Sequence, residues 1–175
     1  MDKIITFKVE DDIVNYFLNL NITSEEDVSK ETATIKGYQT SNIIHLIDPQ
    51  LISFLKTKYF SPAINNMKGD YIIKDLEIDH IHYIKYDTQG KQKEHNHEFW
   101  EDYSFILYLN NCNDGHTLFY DIPKPHVTTP KKGEIVLFKS YLYHEGLESN
   151  SSKEIIVGSI REIGKKWIPR IRKNI

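Results

Sequence analysis

Cys112 is the only cysteine in the chain, so no intrachain disulfide can form and a reducing compartment is the natural home. Long apolar runs are also missing: nowhere do hydrophobic residues extend over the roughly 20 positions that a membrane helix needs. The opening Met1-Asp2-Lys3-Ile4-Ile5 has no apolar core of the kind a secretory signal requires. The expectation is a cytoplasmic protein, in the host cytoplasm if the source is viral, with no membrane contact. A formal net charge of −3 gives no general attraction to nucleic acid, which is not expected as a partner. The exception is local: Lys165, Lys166, Arg170, Arg172 and Lys173 form a basic C-terminal run around Trp167, read as a solvated tail anchored by that ring. Alanine occurs only at Ala33 and Ala63 and arginine only at Arg161, Arg170 and Arg172, a bias of AT-rich coding that carries no chemistry.

Against these absences stand 39% hydrophobic and 27% charged residues, the balance of a soluble globular protein. At 175 residues the chain is long enough for one domain with a substantial core and too short for two ordinary ones. The reading is a single domain over 1–175, with 1–70 as helical support, 71–165 as a β-rich core and 166–175 as the basic tail. Residues 11–20 carry apolar positions at helical spacing, and Thr23-Ser24-Glu25-Glu26 has the form of a capping box opening a short helix. Asp48-Pro49 sets an N-cap and an N1 proline before a helix over 50–60, with Leu51, Phe54, Leu55 and Tyr59 as its apolar stripe. From Tyr71 onward short Ile-, Tyr-, Phe- and Val-rich runs alternate with turn clusters, including a hairpin-like loop from Asn110 to Gly115 that holds Cys112 and a tight turn at Gly133.

The chemistry concentrates in His95-Asn96-His97. Side chains alternate faces along a strand, so positions i and i+2 point the same way and can close on one metal ion. A third histidine from a distant strand, His144, would complete one face of an octahedron and leave three positions for a bidentate ligand and a small gas molecule. The second pair, His80-Ile81-His82, lacks a matching downstream pattern and is read as not metal-binding; His45, His116 and His126 are read as surface residues.

Short segments follow a fixed order around the pair: Tyr86-Asp87-Thr88-Gln89-Gly90 upstream, then Tyr108-Leu109-Asn110, Asp114-Gly115-His116-Thr117-Leu118-Phe119, Pro130 through Gly133 to Phe138, His144, and Lys153 nine positions later. Over roughly residues 72–163 this order resembles the prolyl-4-hydroxylase-like branch of the Fe(II)/2-oxoglutarate-dependent dioxygenases. One departure stands out: His97 occupies the place where that family usually has aspartate, an HxH variant also found in phage- and virus-like sequences. A neutral imidazole there leaves the centre about one unit more positive than a carboxylate would. Alternation sends Glu98 to the opposite face, whereas Glu101 or Asp102 could swing back toward the site.

The resemblance implies a mainly β fold with N-terminal helices (α+β), a double-stranded β-helix or jelly roll with supporting helices. It also implies catalytic metal ligands His95, His97 and His144 for Fe(II), 2-oxoglutarate as cosubstrate, O2, and ascorbate as a candidate reductant. The distal carboxylate of 2-oxoglutarate needs a buried cation. Lys153 stands where the family places it, with Arg161 on the same face of the strand as the alternative. Tyr108 and Ser104 are the cosubstrate contacts on one side of the strand 104–109, and Tyr86 lines the pocket. The implied substrate is a protein or peptide side chain of prolyl type or a small amino-acid-like molecule. Two other readings compete: a three-histidine, cupin-like dioxygenase that uses no 2-oxoglutarate, and an inactive jelly-roll binding module. Oligomeric state is not fixed by the sequence.

Overall fold

The structure is a computed structural model and describes residues 3–23, 25–68, 75–97, 101–120 and 123–163. Nine strands are present among these: β1 (Ile4–Lys8), β2 (Thr34–Gln39), β3 (Leu76–His95), β4 (Tyr103–Tyr108), β5 (Thr117–Phe119), β6 (His126–Thr128), β7 (Glu134–Lys139), β8 (His144–Gly146) and β9 (Lys153–Glu162). They pair in the order β1-β7-β4-β9-β3-β8-β5-β6, with β2 added on β3. β3 belongs to both layers. Its first part, Leu76 to Tyr86, is antiparallel to β9, while Gln92 and His95 pair with Gly146 and His144 of β8. Between these stretches the strand turns a corner at Gln89, where φ is +65°. The result is two facing sheets sharing one bent strand, a double-stranded β-helix.

Alternation sorts side chains into two cores. On the outer face of the larger sheet, Ile81 and Tyr83 of β3, Tyr103, Phe105 and Leu107 of β4, Ile135 and Leu137 of β7, and Ile156 and Ile160 of β9 pack under the helices. Their sequence neighbours Ile84, Tyr86, Ile106, Tyr108, Val136, Phe138 and Ile155 point the other way, into the space between the sheets. That inner space is where the functional side chains lie.

The helices arise as their patterns predict, with adjusted ends. α1 (Asp11–Leu18) buries Ile13, Val14 and Phe17 at i, i+1 and i+4. α2 (Pro49–Leu55) is capped by Asp48, whose side chain accepts from the Gln50 amide at 2.8 Å. The helical path does not stop at Phe60: a π-turn over Lys56–Phe60 leads into α3 (Ser61–Lys68). Pro62 lacks the amide hydrogen an α-turn would use, and the wider π-turn lets the path pass it. Because the path continues, the buried stripe is Leu55, Phe60, Ala63, Ile64 and Met67, and Phe54 is left 41% exposed.

Other expectations are corrected. The first 70 residues are not helical support alone, since β1 and β2 are sheet members paired with β7 and β3. Short apolar runs such as Ile4-Ile5-Thr6-Phe7 become strands only when a partner edge is available. No α-helix opens after Thr23: the Asp27 carboxylate instead accepts from the Ser29 amide ahead of a 3₁₀ turn at Ser29–Glu31. The connection from Asn110 to Gly115 is not a hairpin, because β4 pairs with β7 and β9 while β5 pairs with β6 and β8. It carries the chain from one sheet to the other, and Cys112 is buried in it against Ser149. Gly133 makes the expected tight turn, with φ of +80°. Glu98 and the basic tail, Trp167 included, lie outside the described residues. No helix among the described residues is long and apolar enough to cross a membrane.

Candidate metal centre

His95, His97 and His144 converge, each offering a ring nitrogen within 4.8 Å of the others. Their rings lie 4.9 Å (His95 to His97), 4.3 Å (His95 to His144) and 5.4 Å (His97 to His144) apart between centroids. β3 and β8 produce this directly, since His95 and His144 are facing partners in the ladder. His97 has just left β3, and its amide donates to the Ser140 carbonyl at 2.9 Å, so the end of β7 fixes the backbone that carries the third ring.

Two of the outward nitrogens are hydrogen-bonded. His95 Nδ1 bonds the Lys93 carbonyl at 2.8 Å and His144 Nδ1 the Leu142 carbonyl at 3.0 Å, each two residues back along its own chain. Such a bond puts the proton on Nδ1 and leaves Nε2 as the free donor. His97 Nδ1 faces the Glu101 carboxylate at 3.8 Å. Burial pushes all three pKa values down, that of His97 to about 4 and that of His144 well below the ordinary range. Near pH 7 the rings are therefore neutral, the form that binds metal without expelling a proton. Three neutral imidazoles, two of them with tautomers set by these bonds, form a donor set that fits a divalent transition ion with open positions left over. Phe138 and Phe119 pack on His144 at 4.7 and 5.8 Å and keep that side dry.

The centre opens into a cavity of about 290 Å³. Beside the three histidines its wall includes His80, His82, Gln92, Glu101 and Ser104. The pair His80 and His82 lies in the same cavity as the three histidines. The signal was in the alternation: His80 and His82 share a face of β3 with Ile84 and Tyr86. Glu101 does not displace His97; it takes a hydrogen bond from Ser104 Oγ at 3.0 Å and lies 3.1 Å from His80 Nε2. Asp102 turns away, accepting from the Glu162 amide. His45 and His126 are exposed, but His116 is half-buried, with a buried Nδ1 that has no partner among the described residues.

Lys153 is 2% exposed and points between the sheets. Its ammonium donates to the Gly115 carbonyl at 2.9 Å, stands 4.7 Å from the Tyr86 ring centroid, and would lie 3.4 Å from a Cβ placed on Gly146. Burial pushes its pKa down to about 8. Gly146 is two residues beyond His144 on β8, about 7 Å by strand rise. Tyr86 Oη is buried, with the Thr34 side chain as its polar neighbour and no hydrogen bond of ordinary geometry among the described residues. Tyr108 Oη is by contrast bonded to Thr117 and Thr128, each at 2.9 Å. Arg161, the alternative cation, is spent on Glu77 and Asp79 at the surface, each at 2.9 Å. A bulge between Ile78 and His80 shifts the pairing of that end of β9. Ser104 lines the cavity, with its hydroxyl shared between Glu101 and Ser140. Lys153, Tyr86 and Tyr108 lie beyond the cavity wall.

No protein-family model matches the chain, and no curated protein sequence does. Solved structures do. A prolyl-4-hydroxylase from Pseudomonas putida superposes with a TM-score of 0.66 at 18% identity, over 93% of this chain and 94% of that one. The viral collagen prolyl hydroxylase of Paramecium bursaria Chlorella virus-1, in complex with 2-oxoglutarate, gives 0.63 at 16% identity over 93% and 97%. HygX from Streptomyces hygroscopicus, with nickel, 2-oxoglutarate and hygromycin B bound, gives 0.67 at 9% over 95% and 86%. The likeness is one of fold.

Proposed function

We propose that the chain is an Fe(II)- and 2-oxoglutarate-dependent dioxygenase that hydroxylates a protein side chain of prolyl type or a small amino-acid-like molecule. The observation that carries the reading is the convergence of His95, His97 and His144 with two of the outward nitrogens tied to carbonyls. A buried cation supports it. Lys153 has one hydrogen bond and the face of the Tyr86 ring where an ammonium in water would have a full hydration shell. An anion is the ligand such a cation lacks.

In this reading His95, His97 and His144 hold the iron, Lys153 with Tyr86 anchors the distal carboxylate, and Ser104 lines the cavity, while Tyr108, bonded to Thr117 and Thr128, lies beyond its wall. Iron with 2-oxoglutarate would supply the activation of O2, with ascorbate as an external reductant. Backbone carbonyls fix the tautomers of His95 and His144, burial keeps the ligands neutral, and Phe119 and Phe138 exclude water. The likeness in fold to two prolyl hydroxylases and to HygX, which binds nickel, 2-oxoglutarate and hygromycin B, supports either class of substrate.

Anaerobic titration with Fe(II) and then 2-oxoglutarate tests this. The expected result is a visible metal-to-ligand charge-transfer band that saturates with both components. Iron binding without the band would favour the cupin-like alternative, and no iron binding would leave a binding module.

A further inference from the structure

Replacing an aspartate ligand by His97 leaves a divalent ion with both of its charges uncompensated by protein ligands. Yet the cavity wall holds one carboxylate, Glu101, whose side chain is 3% exposed. Its surroundings are built: Ser104 Oγ donates to Oε2 at 3.0 Å and shares a 2.9 Å hydrogen bond with Ser140 Oγ. On the other oxygen, His80 Nε2 stands at 3.1 Å, and His80 Nδ1 is in turn 3.0 Å from Ser159 Oγ. The same oxygen faces His97 Nδ1 at 3.8 Å. His97 thus differs from its two partners, whose Nδ1 atoms meet neutral carbonyls. No lysine or arginine lines the cavity among the described residues, so the charge of Glu101 is directed at imidazoles alone.

We propose that Glu101 is a positioning residue that acts on the metal through His97: its carboxylate orients the imidazole and returns to the centre the negative charge that a carboxylate ligand would have supplied. The charge has moved out by one imidazole. A carboxylate behind a ligating histidine raises the basicity of the ring, and removing such a partner typically costs about 10- to 100-fold in metal affinity. This extends the proposed metal site and rests on it.

Cobalt(II) binding to the full chain, read by titration and by the visible spectrum of the bound ion, tests the assignment without reference to turnover. Glu101→Gln keeps the shape and the hydrogen bond from Ser104 and removes the charge; it should weaken cobalt binding by about 10-fold or more while the metal-free protein melts as the wild type does. Glu101→Asp against Glu101→Asn is a second pair matched in shape, so either pair that folds reports the effect of charge. In a His97→Asp background the penalty of Glu101→Gln should shrink or vanish, because the ligand itself then carries the charge. Equal affinities within a folded pair, or an undiminished penalty beside Asp at 97, would overturn the proposal. His97→Ala separates the two levels. If it binds cobalt like the wild type, the metal site itself is wrong; if it loses cobalt while Glu101→Gln does not, only the role of Glu101 falls.

Discussion

His95 and His144 are direct partners across the β3–β8 ladder, with ring centroids 4.3 Å apart, although most of the core sheet separates them in sequence. A facing pair on the same side of a sheet cannot drift apart without breaking the ladder, so two of the three ligands are held by backbone geometry. His97 is held differently: its amide donates a hydrogen bond to the Ser140 carbonyl, and its ring faces the Glu101 carboxylate at 3.8 Å.

The three histidines should therefore respond unequally. Alanine at His95 or His144 should abolish measurable iron(II) binding. Alanine at His97 should weaken it, with water able to fill the third position, and His97→Asp should bind at least as well as wild type while altering the rate of 2-oxoglutarate turnover. Isothermal titration under anaerobic conditions checks the order. Equal loss at all three positions would show that the ladder pair has no special part.

Lys153 trades stability for binding. Its folded pKa, about 8, lies below the ordinary lysine value because of burial. The unfolded chain therefore binds the proton more tightly, and stability of the ligand-free protein should rise with pH from about 8 toward the ordinary value. Lys153→Met should be more stable than wild type near pH 7, by on the order of 1–3 kcal/mol in denaturant melts, and should lose that pH dependence. The same substitution should weaken 2-oxoglutarate binding at least about a hundredfold and leave metal binding intact.

For the wild type, 2-oxoglutarate affinity should fall as pH rises through about 8, since the ammonium that faces the dianion is then lost. Cys112, Asp114 and Tyr86 are the titratable groups around it; the first two favour the charged form, and burial holds the Tyr86 phenol neutral across the range. Calorimetry from pH 7 to 9 on the metal-loaded protein measures this. A flat profile would take Lys153 out of the cosubstrate site.

Tyr86 and Tyr108 both lie on the inner face, but phenylalanine should affect them differently. Tyr108→Phe leaves the hydroxyls of Thr117 and Thr128 short of a partner and should cost about 1–2 kcal/mol in a denaturant melt. Tyr86→Phe removes a hydroxyl that makes no hydrogen bond of ordinary geometry, with Thr34 as its polar neighbour, and should be close to neutral, while lowering 2-oxoglutarate affinity. A destabilised Tyr86→Phe would show that the hydroxyl is engaged within the ligand-free protein.

Gly158 marks where the outer core presses on the sheet. A Cβ there would sit 2.6 Å from the Phe105 ring and 2.7 Å from the His80 carbonyl, and the latter is backbone that cannot move aside cheaply. Gly158→Ala should cost about 1–3 kcal/mol and disturb His80. Urea unfolding gives the first effect, and weakened metal binding through the His80–Glu101 contact would give the second.

The sequence by itself determined much of this arrangement. Period-two spacing put His95 and His97 on one face, and alternation along residues 153–161 turned Lys153 inward; Asp48-Pro49 set the start of α2. These are local consequences of backbone geometry, which neighbouring residues dictate. Tertiary structure decided what no local rule contains: that β1 and β2 join the sheet, that the chain from Asn110 to Gly115 crosses between layers, and that the helical path runs past Pro62. It also left Lys153 buried between the sheets while Arg161 pairs at the surface with Glu77 and Asp79 of the neighbouring strand. Finally it brought His80 and Glu101 to within 3.1 Å of each other beside His97. Charges far apart in sequence meet only through strand pairing, and pairing partners are selected by the whole sheet, since one bent strand must satisfy hydrogen bonds in both layers at once.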